Sequence, residues 1–195
     1  MENLNNFLIR ADATTESGTG HIMRCLALVH GLIEKGIEVT LLGRCSNEDL
    51  RHLIESSGAR FIAFEMPHPD PADLQMTLGV VSELQIQWLV LDGYHFDASF
   101  HRAIRKAGCR LLVIDDTAHL SEYHADILLN QNITARQCSY TCMPSTRLLL
   151  GPRYVLLRPE FLDKQGWRRK MPEVVHKVLV SMGVSGTDYS DCPPD

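Results

Sequence analysis

The feature that most constrains the fold is a regular alternation of short apolar runs with longer amphipathic stretches. The runs have the length of buried strands, whereas the stretches between them repeat apolar residues at helical spacing. This pattern is typical of βαβ units around a parallel sheet, because each crossover needs a helix to return the chain. The predicted strands are residues 7–11, 37–42, 60–64, 88–91, 110–114 and 126–129.

The predicted helices alternate with these strands, and local signals mark several of their ends. The first helix runs from about residue 21 to 35 and stops at Gly36, and Asn47 is suited to cap the second. The predicted helices after the first span about residues 48–57, 72–84 and 96–107. Strand–helix units of this length require right-handed crossovers. We therefore predict an α/β fold with a doubly wound, Rossmann-like parallel sheet.

A change of pattern near residue 135 predicts the domain organisation. Residues 1–135 form the predicted α/β domain, and residues 136–173 form a linker region with a short helix around 160–167. A buried strand at 176–182 then leads into a Gly/Ser loop, as at the start of a nucleotide-binding domain. Residues 174–195 are therefore predicted to be the first strand and loop of a second, incomplete domain.

Charge and apolar content exclude several function classes. The chain carries 19 basic and 24 acidic residues, a net charge of −5, whereas general nucleic-acid binders carry the opposite sign. Its apolar runs are far shorter than the ~20 residues that span a bilayer. Residues 1–6 lack the basic and apolar pattern of a signal peptide. We expect a cytoplasmic protein with neither nucleic acid nor membrane as a partner.

Neither a metal nor a cofactor is expected from the motifs. The six cysteines are scattered and form no Cys-x-x-Cys pair; Cys138 and Cys142, with His124 upstream, come nearest to a ligand set. The loop before the first helix contains Gly18 and Gly20, but Met23 stands where a dinucleotide fingerprint needs its third glycine. The same loop lacks the Gly-Lys-Ser/Thr of a phosphate-binding P-loop. We expect reduced thiols and no metal, NAD or other cofactor.

Polar residues follow four of the predicted strands at their carboxyl ends. Open α/β sheets bind ligands outside this edge, so the convergence predicts a crevice for a polar ligand. The four segments are Arg10-Ala11-Asp12, Asp92-Gly93-Tyr94, Asp115-Asp116 and Asn130-Gln131-Asn132.

His21 is the candidate catalytic residue in this crevice. It begins the first helix, and Arg24 follows one turn later. The positive end of the helix dipole disfavours an imidazolium, so a neutral His21 could accept a proton as a general base. Spacing alone gives equal weight to a histidine that merely caps the helix. His95 could also line the crevice, although a structural role is favoured for it.

Six motifs in order and spacing resemble the PseG family. Those enzymes are the UDP-2,4-diacetamido-2,4,6-trideoxy-β-L-altropyranose hydrolases of pseudaminic acid biosynthesis. The resemblance runs from about residue 7 to about residue 188. The motifs are Ile9-Arg10-Ala11-Asp12, the Gly18 to Leu28 segment, Leu91-Asp92-Gly93-Tyr94, Ile114-Asp115-Asp116, Leu129-Asn130-Gln131-Asn132, and the Leu150 to Phe161 segment.

The resemblance implies a two-domain fold of the GT-B type, as in the MurG enzyme of peptidoglycan synthesis, with UDP held by the C-terminal domain. It also implies a reaction, in which water attacks the anomeric carbon of a UDP-linked sugar with inversion and His21 is the base. The implied substrate-binding residues are Asp12, Asp92, Tyr94, Asn132, Arg10, Arg24 and Gly20, and the implied UDP-binding residues are Gly183 and Ser185.

The second-domain motif departs from the family pattern. Val184 stands where the family has a glycine close to the diphosphate, and a Cβ there obstructs close backbone approach. Because most UDP contacts of the family lie further along its second domain, we expect weak or no hydrolase activity from this chain alone. Two alternatives stay open: a remnant that is inactive or completes its site with another chain, and a glycosyltransferase that uses the same UDP-sugar.

Overall fold

The computed structural model describes residues 6–14, 17–66, 70–164, 166–168, 171, 173–175 and 178. Its first half alternates strands β1 to β3 with helices α1 and α2, and α3, β4, α4 and β5 follow. Their bounds are β1 Asn6–Ala11, α1 Gly20–Ile33, β2 Glu38–Gly43, α2 Glu48–Ser56, β3 Arg60–Ala63, α3 Pro71–Glu83, β4 Trp88–Asp92, α4 Ala98–Lys106 and β5 Arg110–Ile114. Strands β6 (Ile127–Asn130) and β7 (Arg147–Leu150) come next, then the short helix α5 (Pro159–Leu162).

Seven strands form one sheet in the order β3-β2-β1-β4-β5-β6-β7, and every neighbouring pair is parallel. The doubly wound sheet predicted from the sequence is therefore confirmed. Because all strands run the same way, their carboxyl ends share one edge. The strand order reverses between β1 and β4, which is where ligands bind in open α/β sheets.

Two apolar layers, one on each face of the sheet, hold the helices. On one face, α1 and α2 pack through residues such as Ile22, Leu26 and Ile54. On the other face, α3 and α4 contribute Val80 and Ile104 among others. Adjacent β1 residues alternate between the two layers, as the period of two in a strand requires. The buried strands are near-continuously apolar for the same reason.

The helix ends differ in how their first N–H groups are satisfied. Asn47 accepts a hydrogen bond from Leu50 N at 2.9 Å, which confirms the predicted cap of α2. Asp70 and Asp97 cap α3 and α4 in the same way. In contrast, Thr19 makes no side-chain cap to α1, and the first turn of α1 holds no acidic residue. The α1 N-terminus thus presents backbone N–H groups at the carboxyl edge of the sheet.

The sheet continues into the segment predicted as a linker. Residues Arg147–Leu150 form β7, which pairs in parallel with β6. Leu149 and Leu150 pack against the two apolar layers, so this strand extends the core past residue 135. Helix α5 ends at Leu162, earlier than the predicted 167. Residues 174, 175 and 178 are the described part of the predicted domain at 174–195. The rest of that domain, with most of its predicted strand at 176–182 and the loop with Gly183 and Ser185, lies outside the described residues.

None of the helices formed by the described residues combines the length and the apolar character that crossing a bilayer requires. Cys25, Cys45, Cys109, Cys138 and Cys142 are all free thiols.

Candidate functional site

The site lies where β1 and β4 end beside the first turn of α1. Strand β4 ends at Asp92, whose carboxylate is fully buried. It accepts hydrogen bonds from His21 Nδ1 at 2.6 Å and from Arg24 Nε and Nη2, both at 2.5 Å. His21 and Arg24 are one turn apart on α1, so they face the same strand end. Asp92 thereby joins the two helix residues that the sequence singled out.

The Asp92 contact fixes the proton on His21. A carboxylate held by Arg24 only accepts hydrogen bonds, so His21 Nδ1 carries the hydrogen and Nε2 keeps its lone pair. Arg24 Nη2 also lies 3.2 Å from His21 Nδ1, but both atoms bear hydrogens in this arrangement and do not bond. The side chain of His21 is 13% exposed. An imidazole oriented by a buried carboxylate can remove a proton from a bound water or hydroxyl.

Arg24 also binds Asp116, which follows the end of β5. Its Nη1 lies 3.1 Å from Asp116 Oδ2. Burial opposes the charge of Arg24, but the hydrogen bonds and charges of Asp92 and Asp116 outweigh it and raise the pKa of the guanidinium. Burial likewise opposes ionisation of Asp116, yet the hydrogen bond from Tyr94 and the charge of Arg24 hold the pKa of this carboxyl below its ordinary value. Both groups are therefore ionised at neutral pH.

Tyr94 covers this ion-pair network and remains half exposed. Its hydroxyl donates to Asp116 Oδ1, and its ring meets the His21 ring edge-to-face with centroids 5.3 Å apart. Burial, reinforced by the hydrogen bond to Asp116, raises the pKa of Tyr94 to about 12. The residue is thus a neutral phenol at physiological pH, and 47% of it is available to a ligand.

Arg10 lies below the crevice instead of in it. Its guanidinium is fully buried and binds Asp73 through Nε and Nη2, at 2.9 and 2.8 Å, and Asp12 through Nη1, at 2.6 Å. The expectation that Arg10 contacts substrate is therefore corrected: it points into the protein because two buried carboxylates hold it there. Asp12 is also bound by Arg44 N at 2.6 Å. Arg10 thus supports Asp12 from beneath.

A cleft of about 490 Å³ opens over these residues. It brings together Asp12, Asp92, Tyr94 and His21 of the predicted site, and His95 also lines it, 3.6 Å from Asp12 Oδ2. The other lining residues are Thr14, Ser17 and Gly93. Two further cavities, of about 430 and 790 Å³, open at the opposite edge of the sheet, away from the polar cluster. A cleft of this volume, in which polar side chains surround a largely apolar surface, suits a small ligand.

The remaining predicted residues occupy different positions. Gly20 is exposed at the start of α1, and a Cβ there would meet no atom within 4 Å, so packing does not require a glycine. Asn132 is exposed, and its backbone N donates to Asn130 Oδ1. It follows β6, which is separated from β4 by β5, and it contacts none of the His21 cluster among the described residues. In the described part of the chain, no His, Cys, Asp and Glu side chains cluster in a metal-binding group.

The sequence predicted no role for His119, which lies beside the predicted Asp115. His119 Nδ1 lies 2.6 Å from Asp115 Oδ2, and its ring meets Tyr94 edge-to-face with centroids 5.6 Å apart. The only available signal was its spacing of four residues from Asp115, which also fits an ordinary surface loop.

The charge of the site is predominantly negative. Carboxylates of Asp12, Asp73, Asp92, Asp115 and Asp116 converge at the ends of β1, β4 and β5 or just beneath them, whereas the cations bound to them are Arg10 and Arg24. Such a field favours ligand groups that donate hydrogen bonds or carry positive charge, and it opposes an anion.

No protein-family model matches the chain, but two known proteins are similar to it in sequence. It is 25% identical over 191 residues to the UDP-2,4-diacetamido-2,4,6-trideoxy-β-L-altropyranose hydrolase of Campylobacter jejuni, covering 94% of this chain and 61% of that protein. It is 23% identical over 189 residues to an uncharacterized protein of Methanocaldococcus jannaschii, covering 94% of this chain and 38% of that protein. The chain thus spans less than two thirds of either relative.

Among solved structures, MurG of Acinetobacter baumannii has a fold similar to that of this chain. The TM-score is 0.50 at 12% sequence identity, with 71% of this chain and 44% of the MurG chain covered. At this identity the likeness concerns the fold alone. The seven-stranded sheet with flanking helices therefore resembles part of the MurG fold.

Proposed function

We propose that the chain is the sugar-binding domain of a UDP-sugar hydrolase and that His21 is its general base. The observation that carries this proposal is the His21–Asp92 pair at the cleft, with a 2.6 Å contact that leaves Nε2 as proton acceptor. A buried carboxylate that orients a histidine at a ligand cleft is the arrangement that general-base catalysis needs. The hydrolase relative, at 25% identity, supports a UDP-linked 2,4-diacetamido-trideoxy sugar as the substrate.

In the proposed reaction, water attacks the anomeric carbon while the bond from that carbon to the UDP oxygen breaks. His21 Nε2 takes a proton from the water, and the bonding electron pair leaves with UDP. Asp92 stabilises the imidazolium that forms, and two hydrogen bonds from Arg24 hold the Asp92 carboxyl in place. Attack opposite the leaving group inverts the anomeric configuration. The proton on His21 then returns to solvent.

The negative field fits the sugar half of this reaction. Glycosyl transfer passes through an oxocarbenium-like transition state, and the carboxylates of Asp12, Asp92 and Asp116 stabilise positive charge developing on the sugar ring. We assign sugar binding to Tyr94 and Asp12. The backbone at Gly20 is expected to approach the sugar closely, because this residue has no Cβ. The same field opposes the diphosphate, so UDP contacts are assigned to residues outside this cluster, Gly183 and Ser185 among them.

A UDP-sugar glycosyltransferase is the second candidate, favoured by the MurG-like fold. His21 would then deprotonate an acceptor hydroxyl instead of water. The two candidates share the base and the cleft and differ only in the nucleophile. A third arrangement, in which the site is completed by another chain, keeps the same roles for His21 and Asp92.

The test is analysis of the products formed from the UDP-linked 2,4-diacetamido-trideoxy sugar. From this chain alone we expect at most slow release of UDP and the free sugar, the sugar appearing first as the inverted anomer in proton NMR spectra. Sugar transfer to an added acceptor, with no free sugar, would replace the hydrolase by the glycosyltransferase. Release only after addition of a separately expressed C-terminal half of the hydrolase relative would establish the partner-dependent arrangement. His52→Ala is the matched control, because His52 is exposed on α2, far along the chain from the cleft residues of α1.

A further inference from the structure

We propose that Asp116 is the positioning residue for Tyr94, and that it makes the Tyr94 oxygen an acceptor for a hydroxyl or acetamido N–H group of the substrate. The inference rests on the proposed function, since it gives one contact of the same sugar a polarity and a supporting residue. Neither the sequence motifs nor the comparisons assign such a role to Asp116.

Asp116 uses both of its carboxylate oxygens to hold other residues of the site. Its Oδ1 accepts the hydrogen bond of the Tyr94 hydroxyl, and its Oδ2 accepts from Arg24 Nη1 at 3.1 Å. Because the pKa of this carboxyl lies below its ordinary value, the group is ionised at neutral pH and can only accept hydrogen bonds. The carboxylate thus bridges the helix that carries His21 and the loop that carries Tyr94.

The bond to Asp116 decides what the Tyr94 hydroxyl can offer a ligand. A phenol has one hydrogen to donate and lone pairs that accept. Its hydrogen is given to Asp116, and within the described residues the Tyr94 hydroxyl makes no other hydrogen bond. The lone pairs are therefore left for ligand groups that donate, such as a sugar hydroxyl or an acetamido N–H. A phosphate or carbonyl oxygen, which only accepts, does not suit this position.

Tyr94 lies where such a contact orients the sugar toward the proposed base. It lines the 490 Å³ cleft together with Asp12 and His21, and its ring meets the His21 ring edge-to-face with centroids 5.3 Å apart. A half-exposed side chain loses rotamer freedom when it binds a ligand, and this cost falls when another group already holds it. Asp116 therefore holds the Tyr94 ring beside His21 before the sugar binds.

Asp116→Asn reverses the polarity of this contact with little change of shape. The Arg24 guanidinium has only donors, so the amide oxygen of the substituted side chain turns toward Arg24 and its NH₂ group toward Tyr94. The Tyr94 oxygen then accepts from the amide and no longer accepts from the ligand. We expect the full chain with Asp116→Asn to bind UDP-2,4-diacetamido-2,4,6-trideoxy-β-L-altropyranose about 3- to 10-fold more weakly in calorimetry, as for one lost hydrogen bond. An equal loss with UDP alone would overturn the sugar contact.

A double-mutant cycle separates positioning from a general loss of binding. Tyr94→Phe removes the hydroxyl and should itself weaken binding about 3- to 10-fold. Adding Asp116→Asn to Tyr94→Phe should then weaken binding no further, because Asp116 acts through that hydroxyl. Losses that multiply would overturn the proposal. Glu122→Gln is the matched control, because it makes the same acid-to-amide change in an exposed pair with Arg102 and should keep wild-type affinity.

NMR of the full chain, labelled with carbon-13 at the tyrosine ζ position, reads the Tyr94 hydrogen bond without substrate. We expect the Tyr94 resonance, identified by its loss in Tyr94→Phe, to move in Asp116→Asn and to stay in place in Glu122→Gln. An unmoved resonance in Asp116→Asn would overturn the positioning role. Wild-type affinity of Asp116→Asn for the nucleotide sugar would overturn this inference alone, whereas no binding by the wild type would overturn the proposed function as well.

Discussion

Replacing Asp92 by asparagine tests the ion-pair network at the centre of the site. Asp92 is fully buried and accepts hydrogen bonds from His21 and twice from Arg24, at 2.5–2.6 Å. An asparagine turns an NH₂ group toward these donors and leaves the buried Arg24 without its main counter-charge. Breaking one partner of a buried ion pair costs about 3–5 kcal/mol. Because Arg24 keeps Asp116 at 3.1 Å and is 13% exposed, we expect about 3 kcal/mol, at the lower end of this range.

The measurement is thermal unfolding followed by circular dichroism. For a chain of this length, a loss of about 3 kcal/mol lowers Tm by roughly 6–12 °C. The control is Glu122→Gln, which breaks the exposed Arg102–Glu122 pair and should leave Tm nearly unchanged. An Asp92→Asn protein that unfolds within 1–2 °C of the wild type would refute the buried ion pair of Asp92 with Arg24, and with it the orientation assigned to His21.

Three further predictions concern pH and backbone packing. Burial, together with His124, lowers the pKa of His101 to about 4, against an unfolded value near 6.5. The contribution of the neutral His101 to the unfolding free energy is therefore complete above pH 6.5, and about 3 kcal/mol of it is lost as the pH falls toward 4. In urea unfolding, His101→Phe should lose less stability than the wild type over this pH range, and equal losses would contradict the lowered pKa. Gly43→Ala places a Cβ 1.8 Å from the Ala11 carbonyl oxygen and should lower the unfolding free energy by about 3 kcal/mol or more in urea, a result that wild-type stability would exclude. Gly20→Ala meets open space and should keep the wild-type Tm while weakening nucleotide-sugar binding by calorimetry; full affinity would show that no ligand approaches this backbone.

The sheet could be predicted from the sequence because its strands are buried on both faces. Residues 7–9 of β1, 88–91 of β4 and 111–114 of β5 are apolar without interruption, and helices of regular period separate these strands. Strand β7 lacks these signals: Arg147–Leu150 is short, its first two residues are exposed, and it follows a long loop without a crossover helix. Its place in the sheet depends on pairing with β6, a long-range contact that periodicity does not report.

The site was predictable where motif and geometry coincide, and less so where side chains choose between partners. The sequence predicted that His21, Asp92 and Tyr94 lie at one edge of the sheet, because parallel strands end together. Arg10 lies within the buried strand β1. The period of two in a strand does not show whether the Arg10 side chain meets a ligand or Asp73, which lies 63 positions along the chain. The position of His119 beside Tyr94 could not be predicted, because it follows a left-handed backbone conformation at Ala118 that the residue types do not indicate.

The most direct test of His21 as a base is UDP release from the 2,4-diacetamido-trideoxy sugar nucleotide in a single turnover, with protein in excess. General-base removal lowers such rates by about 10²–10⁴-fold. We predict that His21→Ala releases UDP about 10²–10⁴-fold more slowly than the wild type, while its Tm stays close to that of the wild type. His52→Ala should release UDP at the wild-type rate. Equal release by His21→Ala and wild type would contradict the assignment of His21 as the base.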